Sequence, residues 1–258
     1  MEPCLIIFDI DETLYMNSKH QIPESTLKAI DKLKVAGHTI AIATGRGPHE
    51  IIDDIKQLPI DFYILANGQL VMQNDETIYE NAIELEIVNE ILADADKADI
   101  HLGFSSATRT FLTGMTDDMQ KAFARYQIPM PTVSRNFKTD EPIHQIWYFS
   151  NEYQATAEKF KEKLRFLPWG RTPGGDILPI GVSKAFALTK TLEILSDNSY
   201  EKTIFFGDGM NDIELIEAAD IGVAMGNAAE PVKEVADFVT KNIEDDGVYY
   251  ACEQLGLF

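Results

Sequence analysis

The stretch Cys4-Leu5-Ile6-Ile7-Phe8-Asp9-Ile10-Asp11-Glu12-Thr13 decides the fold. Five apolar residues without interruption are what a strand covered on both faces requires. Two aspartates follow at once. In a parallel sheet the carboxyl ends of the strands line the ligand crevice, so Asp9 and Asp11 are expected to open into a site. Carboxylates this close repel, and a cation or a shared proton relieves the repulsion. Taken alone, such a pair also serves as a turn or a helix cap.

Outward from that stretch the chain alternates between strand and helix. Pro23, Glu24 and Ser25 announce a helix, Leu27, Ile30 and Leu33 recur at helical spacing, and Gly37 supplies a stop. A second apolar strand is expected over 38–43, ending in Thr44-Gly45-Arg46. A helix over 48–57 and a third strand over 62–66, running into Asn67-Gly68, complete a strand–helix–strand–helix–strand series. That series signals a parallel sheet with helices on its faces.

The last quarter resumes the same order, with helices over 183–195, 212–218 and 230–235 and strands over 203–206, 221–224 and 237–240. A closing helix follows from about Asp245. Residues 82 to 180 have another texture: helices over 84–97, 117–126 and 152–164, and short strands near 101–105, 109–113 and 143–149. Short strands with interspersed helices suggest an α+β layer. The expected organisation is an α/β core of residues 1–81 and 182–258, with an α+β domain of residues 82–181 inserted into it.

Asp208 follows the apolar strand at 203–206 as Asp9 follows the first, in position to share a metal with it. The Gly207–Asp212 stretch also reads as a tight turn in which Asn211 or Asp212 caps the next helix. Thr44 and Gly45 offer a hydroxyl and a backbone N–H to an anion. Lys184 stands at a helix start, where the helix dipole disfavours a cation unless an anion compensates it.

The 258 residues carry 42 acidic against 22 basic side chains, a formal net charge of −20. Nucleic acid and anionic membrane are polyanions, so neither is expected as a partner. A phosphorylated substrate would need local positive charge, which Lys184 and Arg46 could supply. Cys4 and Cys252 cannot make a disulfide framework and lack zinc-ligand spacing. The start of the chain lacks the basic segment of a secretory signal, and no apolar run approaches the roughly 18 residues of a membrane span. A cytoplasmic protein is the expectation.

In order along the chain, DxDxT at 9–13, the strand-end Thr44, Lys184 and GDxxND at 207–212 resemble the haloacid dehalogenase (HAD) superfamily. Asn67-Gly68, Gly181-Val182-Ser183-Lys184 and the GDGMND stretch look most like its Cof-type hydrolases. The resemblance spans the whole chain. It implies a Rossmann-like parallel-sheet core with an α+β cap inserted between the second and third motifs. It further implies a Mg2+-dependent phosphatase of small phosphorylated metabolites, sugar phosphates foremost, acting through an aspartyl-phosphate.

Carried over by residue, the resemblance makes Asp9 the nucleophile. Asp11 becomes the proton donor to the leaving alcohol and then the base for water. Mg2+ would be held by the Asp9 carboxylate, the Asp11 backbone carbonyl and Asp208. Thr44 and nearby backbone N–H groups, Gly45 among them, would hold the transferring oxygens. Asn211 would bond near the phosphate, and Asp212 would orient Lys184 or a metal-bound water. Glu12 departs from the family, which has glycine there.

A phosphomutase on the same scaffold is the nearest alternative. A phospho-receiver domain is disfavoured because the third strand ends in Ala66-Asn67-Gly68 without an aspartate. The five histidines show no metal-ligand spacing, and the Trp147-Tyr148-Phe149 run reads as the core of a cap strand. Arg109, Arg171 and Asp176 lie in the inserted region, from which they could reach the substrate.

Overall fold

In the computed structural model, which describes residues 2–134, 141–150, 152–169, 174–195 and 200–258, the apolar run after Pro3 is the central strand of a sheet. The strands in chain order are β1 Leu5–Phe8, β2 Thr39–Ala43, β3 Phe62–Leu65, β4 Leu70–Gln73, β5 Glu76–Glu80, β6 Leu102–Ser105, β7 Thr110–Leu112, β8 Thr132–Val133, β9 Gln145–Tyr148, β10 Leu164–Pro168, β11 Gly175–Pro179, β12 Thr203–Gly207, β13 Ile221–Ala224 and β14 Phe238–Val239. The helices are α1 Glu24–Val35, α2 Asp53–Lys56, α3 Leu85–Ala98, α4 Asp117–Arg125, α5 Gln154–Phe160, α6 Lys184–Ile194, α7 Ile213–Ala218, α8 Glu230–Glu234 and α9 Gly247–Gln254.

The chain divides into two units. One comprises Met1–Gly45, Ile52–Tyr79 and Ser183–Phe258; the other comprises Arg46–Ile51 and Glu80–Val182. Residues Arg46–Ile51, expected with the core, group here with Glu80–Val182.

The first unit is built on a sheet of order β14-β13-β12-β1-β2-β3-β4-β5, parallel from β14 to β3. Strand order reverses between β2 and β12, on either side of β1, and such a switch point opens a crevice at the carboxyl ends. Alternation explains why β1 is apolar throughout. Leu5 and Ile7 pack with Ala187 and Leu188 of α6, Leu215 and Ile216 of α7 and Val232 of α8. Ile6 and Phe8 point to the opposite face, where the Phe8 ring lies 4.8 Å from that of Phe206. α1 buries Thr26, Ala29, Ile30 and Leu33, so the buried stripe runs one residue off the expected Leu27, which is exposed.

The helix expected over 48–57 is broken into a single turn at Pro48–Glu50 and the short α2, with Ile51 and Ile52 extended between them. The strands β4 and β5 were not anticipated. Their two-residue loop, Asn74-Asp75, has both φ values positive (52° and 64°), which short polar residues tolerate and which suits a tight hairpin.

The second unit is a six-stranded sheet of order β10-β11-β9-β6-β7-β8, antiparallel except between β7 and β8. One face packs Phe104, Ile146 and Ile177 against Val88 and Ile91 of α3 and Phe160 of α5. The other packs Leu112 and Trp147 against Met119 and Phe123 of α4, so Trp147 is core, as expected. β10 and β11 are not among the expected strands; the helix expected over 152–164 ends at Phe160, and Leu164 opens β10. Pro168 and Pro179 argue against strand but stand at strand ends, where a missing N–H is tolerated.

Glu50 is buried in this unit, and its burial pushes the carboxyl up to about 8, against the pull of the Gly47 N–H and the Arg46 guanidinium. An unfolded glutamate titrates at about 4.3. The folded chain therefore keeps a proton that the unfolded chain releases, and the associated stability is full below about pH 4.3 and lost as pH rises through about 8. Glu50→Gln is expected to flatten this dependence. Relative to wild type, its melting temperature should rise between pH 5 and 9 by roughly 2–4 °C or more, as thermal melts would show. A difference that stays constant with pH would contradict the burial argument.

Candidate active site

The candidate side chains Asp9, Thr44, Lys184 and Asp208 sit where a strand of the first unit ends or a helix begins. Asp9 directly follows β1, its N–H donating to the Phe206 carbonyl at 2.9 Å, and Asp208 directly follows β12. Thr44 follows β2, its N–H on the Ile64 carbonyl (2.9 Å) and its carbonyl accepting from the Asn67 N–H (3.0 Å). Ser183 caps α6, its Oγ accepting from the Phe186 N–H at 3.2 Å. Lys184 thereby starts the helix and is 1% exposed.

An ammonium so buried requires anions. Lys184 Nζ donates to Asp9 Oδ1 at 2.7 Å and to Asp212 Oδ1 at 2.6 Å. The other oxygen of Asp212 accepts from the backbone N–H groups of Asp208 (3.0 Å) and Gly209 (2.8 Å). Asp212 is thus a hub that fixes Lys184 and the turn carrying Asp208. Gly207 is required here, because a Cβ there would lie 2.6 Å from the Asp212 carboxyl.

Asp9, Asp208 and Asp212 bring carboxylate oxygens within 4.8 Å of one another, the one such acidic cluster found among the described residues. One ammonium cannot neutralise three carboxylates. Burial, aided by Asp212 and Asp11 and opposed by Lys184, pushes Asp9 up to about 7. Burial also raises Asp208 well above its ordinary value, and the charges of Asp9, Asp212, Asp11 and Glu12 add to it. Burial works against the charge on Lys184, but Asp212 and Asp9 outweigh it and hold the ammonium protonated. An all-oxygen donor set with excess negative charge fits a hard divalent cation such as Mg2+.

The remaining residues fall around this cluster. Asn211 Nδ2 donates to Asn67 Oδ1 at 2.8 Å, and a Cβ on Gly45 would lie 3.2 Å from that same oxygen. Asn67 therefore ties the Thr44-Gly45 turn to the loop bearing Asp208, a role that Asn67-Gly68 as a motif did not disclose. Gly68, at φ +99°, lets this loop reach α6, since a Cβ there would lie 2.3 Å from the Ser183 carbonyl. Asp11 Oδ1 accepts from Asn17 Nδ2 at 2.9 Å. Arg46 belongs to the second unit, where its guanidinium donates to the carbonyls of Glu50 (2.8 Å) and Tyr126 (2.9 Å). Arg109 pairs with Glu141 at 2.5 Å, Asp176 accepts from Gln145 at 3.0 Å, and Arg171 lies outside the described residues.

Glu12 adopts φ 59°, the left-handed region that a glycine would enter freely. Its N–H donates to the Tyr15 carbonyl (2.8 Å) and its carbonyl accepts from Asn227 Nδ2 (2.9 Å), which holds the conformation. A side chain in this region costs roughly 1–2 kcal/mol. Glu12→Gly is therefore expected to raise the melting temperature by about 2–4 °C. A lower melting temperature would show that the Glu12 side chain contributes more than its backbone costs.

A family model described as haloacid dehalogenase-like hydrolase matches residues 6–252. The chain is 34% identical to "Putative phosphatase YkrA" of Bacillus subtilis (strain 168), over 100% of this chain and 99% of that one. It is 26% identical to the 5-amino-6-(5-phospho-D-ribitylamino)uracil phosphatase YitU of the same organism, over 96% and 95% of the two chains. The solved structure of the HAD subclass IIB sugar phosphatase BT4131 superposes with a TM-score of 0.89 at 31% identity, over 99% of this chain and 100% of that one. Among the described residues no helix is long and apolar enough to cross a membrane. With its acidic strand ends, its buried lysine and its inserted α+β unit, the chain belongs to the haloacid dehalogenase-like hydrolases and is a phosphatase of that family.

Proposed function

We propose that the protein is a Mg2+-dependent phosphomonoesterase of the cytoplasm that acts on small phosphorylated metabolites, sugar or polyol phosphates foremost, through an aspartyl-phosphate on Asp9. The observation that carries this reading is the buried Lys184 joining Asp9 to Asp212 beside Asp208. Sugar phosphates are favoured by the likeness to BT4131 and by the phosphorylated ribityl chain in the name of YitU's substrate. The two free cysteines, both buried, agree with a reducing compartment.

The Asp9 and Asp208 carboxylates and the Asp11 backbone carbonyl would hold Mg2+, with Asp212 orienting the cluster from behind. When bound, the ion would supply Lewis-acid neutralisation of the phosphate oxygens. Lys184 adds a fixed positive charge, so that a carboxylate can approach a phosphate dianion. Asp9 forms the bond to phosphorus as the ester P–O bond breaks, and Asp11 gives its proton to the departing alcohol oxygen. Water then attacks the same phosphorus and surrenders a proton to Asp11, which releases inorganic phosphate and restores the Asp9 carboxylate. Thr44, the Gly45 N–H and Asn211 hold the transferring oxygens.

Phosphate release from a panel of sugar phosphates, nucleotides and phosphorylated cofactors tests the reading. Turnover of at least one sugar or polyol phosphate is expected with Mg2+, with a loss of about 100-fold or more after chelation. Activity indifferent to chelation, or isomer formation without phosphate release, would overturn it.

A further inference from the structure

We propose that Asn17 is a positioning residue for Asp11, fixing which of its carboxyl oxygens exchanges a proton with the substrate. The inference rests on the reading of Asp11 as proton donor. After β1 the chain turns tightly: the N–H groups of Thr13, Leu14 and Tyr15 all converge on the Ile10 carbonyl, at 3.3, 3.0 and 2.8 Å. It then folds back through a bridge between Met16 and Gln21, the Met16 N–H donating to the Gln21 carbonyl at 3.0 Å. This return sets the Asn17 amide against Asp11, with Nδ2 on Oδ1 at 2.9 Å.

Asn17 is 2% exposed, and its own Oδ1 is buried without a hydrogen-bond partner. Such a buried acceptor costs stability, which an apolar side chain of similar volume would not incur. The single bond to Asp11 is what the amide contributes in exchange.

The chemistry of a carboxyl group gives that bond a consequence. In the protonated acid the carbonyl oxygen accepts hydrogen bonds and the hydroxyl oxygen donates one. An N–H held against Oδ1 keeps Oδ1 the acceptor in both protonation states, which places the mobile proton on Oδ2. In the first step the Oδ2–H bond breaks as the ester P–O bond breaks, and the proton passes to the leaving oxygen. In the second step the proton of the attacking water returns to Oδ2. Asn17 exchanges no proton itself.

Phenyl phosphate and p-nitrophenyl phosphate share a shape but differ in how much the leaving oxygen needs a proton. The ratio kcat/KM reports the step in which that oxygen departs. Asn17→Leu, with Asn17→Ala as a second variant should leucine fail to fold, is expected to lower kcat/KM for phenyl phosphate roughly tenfold or more. The value for p-nitrophenyl phosphate should stay within about threefold. An equal fall for both esters, or no fall for either, overturns the inference. Asp11→Asn in the same pair separates the two levels: if it too slows both esters equally, the reading of Asp11 as proton donor fails. If it selectively slows phenyl phosphate while the Asn17 variants do not, only the positioning role fails.

Discussion

Asp9→Asn is expected to lower kcat by at least about 10⁴ while leaving the melting temperature no lower than that of wild type. The two outcomes share one cause. An amide cannot form the bond to phosphorus, so turnover falls to whatever the remaining groups support without a nucleophile. The amide is also neutral, and Asp9 is one of three carboxylates gathered around a single ammonium. Burial already drives its carboxyl up to about 7, so removing the charge relieves a cost rather than creating one. A variant with undiminished kcat would remove Asp9 from the mechanism. A variant that is inactive but also unfolded would contradict the electrostatic account of the site.

Lys184→Met should behave in the opposite way on stability. The side chain bridges Asp9 and Asp212, both buried, at 2.7 and 2.6 Å. Removing the ammonium leaves charges in the interior without their partner, which costs about 3–5 kcal/mol. At roughly 2–4 °C per kcal/mol for a chain near this size, the melting temperature should fall by about 6–20 °C. Activity should fall by roughly 10²-fold or more, since a fixed positive charge at the transferring phosphate is lost. Adding Asp212→Asn to Lys184→Met removes one orphaned charge and should recover much of the stability but none of the turnover. Failure of the second substitution to recover stability would show that Lys184 acts through packing rather than charge.

The contrast shows what could be read from the chain before folding. Asp9 and Asp208 were legible because each closes an unbroken apolar run, and buried parallel strands leave their polar residues at the carboxyl ends. Lys184 was legible as an anomaly, a cation at a helix start where the dipole opposes it. The partners of the asparagines were not. Asn67 meets Asn211 across 144 residues and Asn227 meets Glu12 across 215, distances that no local spacing encodes. Asn17 is close in sequence to Asp11, but their contact depends on a return of the chain that period-two or period-3.6 patterns do not announce.

The fold shows the same division. Strands buried on both faces declared themselves, whereas β10, at the edge of its sheet, and β11 carry prolines at their ends and read as irregular. The hairpin of β4 and β5 was hidden because its strands are only partly apolar, although Asn74-Asp75 is a turn signal in the sequence. Arg46 offers positive charge to a phosphate, and its guanidinium also donates to the backbone carbonyls of Glu50 and Tyr126, partners that its charge alone does not announce.

The most direct test is to mix the enzyme with radiolabelled substrate and Mg2+, quench in acid within one turnover, and map the labelled peptide. An acid-stable, base-labile phosphoryl group on Asp9, lost in Asp9→Asn, is the result this account requires. Phosphate released at full rate in that interval, with no phosphoryl group on the protein at any time, would mean that water attacks the ester directly and Asp9 is no nucleophile.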